Sequence, residues 1–263
     1  MTTGQVASAD GTPIVFDRSG TGPVVILVHG AFTDRTHPTL AKVAAALAPW
    51  FTVINYDRRG RGGSGDTGPY ATGREFEDLA ALIDETGGSA MVFGGSSGAG
   101  LAITAATRNP AISRLALWEP PYHVDASAPE LPLDFAARLD SLVRAGRRGD
   151  AVEMFMTQAA QVPAEAITAM RADPSWAATE AIAQTLAYEA AVMGPGNALP
   201  AARLAEISQP TLVLTGGSSP AWLTNAGRAV AAAIPGARHL VLDGQTHNVS
   251  AEALVPELLG FFA

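Results

Sequence analysis

The hydrophobic positions of this chain change period along its length. Pro23-Val24-Val25-Ile26-Leu27-Val28 is apolar throughout, as expected of a strand buried on both faces. Similar runs at 51–56, 90–93, 113–118, 210–214 and 239–242 predict further strands, and 13–18 predicts one after the Asp10-Gly11 turn. Between them, 39–48, 72–85, 101–108 and 251–262 carry apolar residues at helical spacing, with Gly87-Gly88 beyond the end of the second. Strands alternating with helices predict a parallel sheet covered on both faces.

The pattern changes after Glu119. From 131 to 193 only helical segments are visible, separated by Gly146, Gly149, Pro163 and Pro174. Val152, Phe155 and Met156 share one helical face, and Ile182, Leu186 and 188–193 predict one longer amphipathic helix. This block reads as a helical cap inserted at 121–204, bounded by Pro120-Pro121 and Gly194-Pro195-Gly196. Residues 1–120 and 205–263 then form the core.

Composition narrows the function classes. With 263 residues, 48% apolar and 16% charged, the chain can bury a sizeable core. A net charge of −8 argues against nucleic acid or an anionic membrane as partner and leaves a small-molecule substrate. With no cysteine there is no disulfide, thiolate metal site or cysteine nucleophile. No basic stretch followed by an apolar run opens the chain, and its apolar runs are too short to span a membrane, so a cytoplasmic protein is expected. No clustered set of metal ligands stands out, and neither metal nor organic cofactor is expected. Oligomeric state is not encoded in these features.

The run Val92-Phe93-Gly94-Gly95-Ser96-Ser97-Gly98-Ala99-Gly100 carries the chemistry. An apolar strand leading into G-x-S-x-G and then into small residues is the pattern of a nucleophile elbow, a strained turn that lifts a serine hydroxyl out of the sheet. Gly94 and Gly98 flank the serine because a Cβ at either would crowd the neighbouring strand or helix. Ser97 as nucleophile would put alanine where the second glycine belongs.

Three more motifs follow the same order as in a known superfamily: Val28-His29-Gly30-Ala31-Phe32, the loop Tyr56-Asp57-Arg58-Arg59-Gly60-Arg61-Gly62-Gly63-Ser64, and Gly244-Gln245-Thr246-His247. With the elbow, they make the chain resemble the α/β-hydrolase fold superfamily, in its cap-bearing, cofactor-independent serine hydrolase form. The resemblance implies a mostly parallel eight-stranded sheet flanked by helices. It implies Ser96 as nucleophile, His247 as base, and backbone N–H groups of Ala31 and Ser97 as an oxyanion hole. His29 then props the turn, and His37, His123 and His239 have weaker claims. Asp57 is expected to brace its loop with Arg59, and Asp243 to fix the loop near His247.

The acid departs from the family pattern. After the strand at 210–214 stand Thr215-Gly216-Gly217-Ser218-Ser219-Pro220, with serines where an aspartate is usual. Either the triad is incomplete or the acid has moved to Glu119, which directly follows the strand at 113–118 at the carboxyl edge of the sheet. Phe32, Trp118, Tyr122, His123, Phe155 and Trp222 are candidate pocket walls, as are Met156, Trp176 and Tyr188, although the helical ones suit a core equally.

A serine at the elbow counts against relatives that use aspartate or cysteine there. The expected reaction is hydrolysis of a small or medium, mainly hydrophobic ester, lactone or thioester through an acyl-enzyme on Ser96. Other readings stay open: amide or C–C bond hydrolysis, cofactor-free perhydrolysis, a non-hydrolytic cyclase or lyase of natural-product biosynthesis, and a ligand-binding member with vestigial chemistry.

Overall fold

Eight strands form one sheet in the computed structural model, which describes residues 1–263. They are β1 (Thr2–Ala7), β2 (Pro13–Ser19), β3 (Val24–Val28), β4 (Thr52–Tyr56), β5 (Ala90–Gly95), β6 (Ile112–Trp118), β7 (Thr211–Gly216) and β8 (Arg238–Leu242). Their spatial order is β1-β2-β4-β3-β5-β6-β7-β8. The β1–β2 and β2–β4 pairings are antiparallel, and all others are parallel.

The continuous apolar runs have a direct structural cause. Ile26 and Val28 of β3 pack into one buried cluster, Val25 and Leu27 into another on the opposite face. Successive side chains of a strand point to opposite faces, so a sheet covered on both sides needs apolar residues at every position. The first face is covered by α2 (Thr72–Glu85), α3 (Ser97–Ala106) and α10 (Ala221–Ala233). On the other lie α1 (Pro38–Leu47) and α11 (Ala251–Phe262).

β1 has no counterpart among the predicted strands. It is an edge strand of sequence Thr-Thr-Gly-Gln-Val-Ala, with every residue exposed or partly so, and carries no apolar run to announce it.

Between β6 and β7 stand α4 (Phe135–Arg144), α5 (Arg148–Gln158), α6 (Ala164–Ala172), α7 (Trp176–Ala181), α8 (Gln184–Met193) and the single turn α9 (Ala201–Leu204). Phe135, Leu139, Val152, Trp176 and Leu186 belong to a third apolar cluster within this block. Two expectations fail here. Gly149 lies inside α5 rather than between helices, and Ile182 closes α7 instead of opening the next helix. The predicted helix is α8 without Ile182, since the chain re-caps at Ile182-Ala183. None of the helices is long and apolar enough to cross a membrane.

The register places the site. Val28 is level with Gly94, Gly95 with Trp118, Trp118 with Leu214, and Gly216 with Leu242. Five parallel strands therefore end along one edge. The loops leaving them carry His29-Gly30, Ser96, Glu119 and His247 to that edge, as open α/β sheets do with their ligand-binding groups.

Candidate active site

Ser96 sits between β5 and α3 with φ 56° and ψ −129°, a conformation that costs a non-glycine residue about 1–3 kcal/mol. The surroundings hold it there. Its N–H donates to Trp118 O at 2.8 Å. A Cβ on Gly94 would lie 2.6 Å from Gly98 O, and one on Gly98 2.5 Å from both Val28 O and His29 O. The two glycines are thus the steric condition for helix and strand to approach closely enough to strain the serine between them.

Glu119, the residue after β6, is fully buried and also has a positive φ, 42°. Its N–H donates to Leu214 O at 2.9 Å. The turned backbone points the carboxylate along the sheet edge. Oε1 accepts the Gly216 N–H at 2.7 Å, and Oε2 is 2.6 Å from His247 Nδ1. The other ring nitrogen, Nε2, lies 3.2 Å from Ser96 Oγ. A carboxylate at Nδ1 fixes the proton on that nitrogen, which leaves Nε2 as the acceptor facing the serine hydroxyl. Trp118 Nε1–H donates to His247 O at 3.0 Å, so β6 steadies the histidine loop as well as the acid. The structure thus brings Ser96, Glu119 and His247 into one hydrogen-bonded line. Ser97 Oγ is buried and has no partner.

Ala31 N–H makes no hydrogen bond within the protein, and Ser97, at the first position of α3, has no intrahelical acceptor for its N–H. Gly30 brings the first loop against the serine: a Cβ there would stand 3.0 Å from Ser96 Cβ. Phe32, next in that loop, also has a positive φ, 61°.

Ser96 and His247 open into a cavity of about 840 Å³. Phe32, Trp118, Phe155 and Trp222 line it as expected; Tyr122 and His123 do not. Past Pro121, which still lines the cavity, the chain turns away. Tyr122 packs on the far side of α3, next to Gly100 and Met193. His123 stands behind Trp222, edge-on at 5.6 Å, tied by its N–H to Asn197 O. Met156 and Trp176 belong to the helical cluster, while Tyr188 stacks on Tyr70 at 3.7 Å.

Polar lining residues escaped the sequence reading. Gln161 and Asn197 both line the cavity with φ near +50°: Gln161 accepts the Trp222 indole N–H at 3.0 Å, and Asn197 donates to Pro121 O at 3.2 Å. No local pattern signals them. Glu189 did leave a signal, as the lone carboxylate in the apolar stretch Ala187–Met193 of α8.

Glu189 belongs to a buried charge network beneath the cavity. Arg58 donates to Glu75 at 2.6 and 2.8 Å, to Glu189 at 2.8 Å and to His29 O at 3.0 Å. Arg61 pairs with Glu189 and donates to Gly30 O at 2.5 Å. All four side chains are almost fully buried. They pin α8 to the loop that carries Gly30. Removing one partner of such a pair typically costs about 3–5 kcal/mol. The expected Asp57–Arg59 brace is absent. Asp57 instead pairs with Arg35 and accepts the Gly63 N–H at 2.8 Å, whereas Arg59 pairs with Asp78 and Asp10. Consecutive arginines of an irregular loop point in different directions, and each takes the carboxylate on its own side.

His29 is buried and its Nε2–H donates to Asn55 Oδ1 at 2.5 Å. Burial pushes its pKa down to about 4 from 6.5. Between those pH values the unfolded chain binds the proton and the native one does not. Its contribution is therefore full above about pH 6.5 and is lost as pH falls towards 4, about 3 kcal/mol in total. Urea midpoints measured across that interval should fall more steeply for the wild type than for His29→Gln. Parallel slopes would exclude His29 as the source. His239 meets Thr215 Oγ1 at 2.9 Å, away from the serine line.

Comparison with known proteins agrees with this fold. Residues 25–255 match the model of the alpha/beta hydrolase family. The crystal structure of an alpha/beta hydrolase from Sphaerobacter thermophilus DSM 20745 is 54% identical, covers 99% of this chain and 100% of its own, and superposes with a TM-score of 0.91. A thermophilic esterase from Thermogutta terrifontis is 25% identical over 94% of this chain and 92% of its own, with a TM-score of 0.69. An uncharacterized hydrolase, YraK, from Bacillus subtilis (strain 168) is 36% identical over 106 residues, a stretch spanning 38% of this chain and 38% of that relative.

Proposed function

Because the chain belongs to the alpha/beta hydrolase family, we propose that it is a serine hydrolase acting on a small or medium, mainly hydrophobic ester, lactone or thioester. The observation that carries this is the line Glu119–His247–Ser96, with contacts of 2.6 and 3.2 Å, opening into a cavity walled by Phe32, Trp118, Phe155 and Trp222. Ser96 Oγ attacks the substrate carbonyl carbon while His247 Nε2 takes its proton. Negative charge develops on the carbonyl oxygen, towards the N–H groups of Ala31 and Ser97. The tetrahedral species collapses, His247 returns the proton to the leaving alcohol or thiol, and an acyl group remains on Ser96. Water, deprotonated by the same nitrogen, then releases the acid. Throughout, Glu119 holds the ring in the tautomer that can accept at Nε2 and stabilises the imidazolium.

The block from α4 to α8 acts as a cap over this cavity and sets its size. The Thermogutta relative is an esterase, which is consistent with this class of bond. A vestigial member would lack an acid at the histidine; Glu119 Oε2, 2.6 Å from His247 Nδ1, argues against that reading.

Labelling with a fluorophosphonate tests the proposal, since only an activated serine reacts quickly. The intact protein should take up one equivalent at Ser96 and lose turnover of short p-nitrophenyl esters in proportion. No labelling under conditions that modify an ordinary esterase would defeat it.

A further inference from the structure

A second cavity, of about 340 Å³, lies back to back with the first. Met193 lines both and forms a shared wall. The second cavity is bounded by α3, the first turn of α2 and the chain leaving α8. In a protein of net charge −8 it has no acidic residue in its lining and two arginines, Arg108 and Arg203. Neither forms an ion pair. Arg108 rests over the Phe76 ring at 5.1 Å, and Arg203 only touches Thr104 Oγ1 at 3.3 Å. Thr72 and Gly73, at the start of the fourteen-residue α2, line the same space; the cap residue Ala71 offers no side-chain acceptor to their N–H groups.

Tyr122 gives the independent sign of a ligand. It is 1% exposed, lines this cavity, and its hydroxyl makes no hydrogen bond within the protein. Burial pushes its pKa up, so the hydroxyl keeps its proton and is a donor. With no acceptor in the protein, that proton is free for whatever occupies the cavity. Two solvent-exposed guanidinium groups, a phenol and a helix N-terminus are all donors, and together they suit an anionic acceptor.

We propose that this cavity binds a small organic carboxylate. The carboxylate accepts from Tyr122, Arg108 and Arg203, and a short aliphatic chain rests on Phe76, Val192 and Met193. Guanidinium groups suit a planar carboxylate, and the apolar walls favour a carbon chain over a bare inorganic ion. The site is separate from the serine line and does not rest on hydrolysis.

Butyrate binding, measured by calorimetry or ligand-detected NMR, tests this directly. The wild type should bind butyrate, inorganic phosphate should compete more weakly, and neutral butyramide should not bind. The Arg108→Met/Arg203→Met variant should bind at least about 10-fold more weakly. Tyr122→Phe, which keeps the ring, should weaken binding while retaining the wild-type melting temperature. Ser96→Ala should bind as the wild type does. Equal binding by wild type and the double arginine variant, or no binding by wild type, would overturn the proposal. So would loss in Ser96→Ala alone, which would place the anion at the serine. Because the readout is binding, it holds whether or not the serine labels.

Discussion

A Ser96→Ala variant is expected to lose ester turnover by a factor on the order of 10⁶ in kcat, with KM little changed. The reason is geometric. Ser96 Oγ is the only hydroxyl hydrogen-bonded to His247, at 3.2 Å. The cavity and the donors at Ala31 and Ser97 remain, so substrate should still bind, and a residual acceleration on the order of 10³–10⁴ over water should persist. The fold should survive, because alanine meets the same backbone strain at φ 56° that serine already carries. Steady-state kinetics with a short p-nitrophenyl ester, alongside a melting curve, checks both parts. Turnover within about a factor of ten of wild type would mean that another group is the nucleophile.

Glu119→Gln is expected to cost on the order of 10⁴ in kcat, the loss typical when such an acid becomes an amide. Oε1 of Glu119 accepts the Gly216 N–H at 2.7 Å. A glutamine that keeps this bond must present its NH₂ to His247 Nδ1. That donor forces the imidazole proton onto Nε2, the nitrogen that faces Ser96, where it blocks proton transfer. The variant should therefore keep its KM and its fold and lose its rate. Ser219→Ala, in the loop after β7 where the family resemblance leads one to expect the acid, should leave turnover unchanged. Equal activity of wild type and Glu119→Gln would refute the relocated acid.

The two variants probe parts of the site that were unequally legible in the sequence. The elbow was readable because its physics is local: an apolar strand, two glycines and a serine within a few residues prescribe the turn. The acid was legible only as a choice: no carboxylate stands in Thr215–Pro220, so either the triad is incomplete or Glu119, at the carboxyl edge of the strand at 113–118, takes the place. The contact that favours Glu119 joins residues 128 apart in the chain. The partners of Arg58, Arg59 and Arg61 were hidden for the same reason: Glu189, Asp78 and Asp10 lie on separate elements. Tyr122 and His123 were misplaced because a kink after Pro121 has no period from which to count faces.

Alone, the chain's own order of residues determined the strands that are buried on both faces, the helices between them and the strained serine turn. Those follow from side-chain alternation and from the space a Cβ occupies, which act over a few residues. Only the tertiary structure decided which carboxylate meets the histidine, which arginine meets which acid, and which side of α3 Tyr122 takes. Those are settled by the register of the sheet and by the packing of α8 on the loop beneath it, which bring together side chains that no sequence window contains.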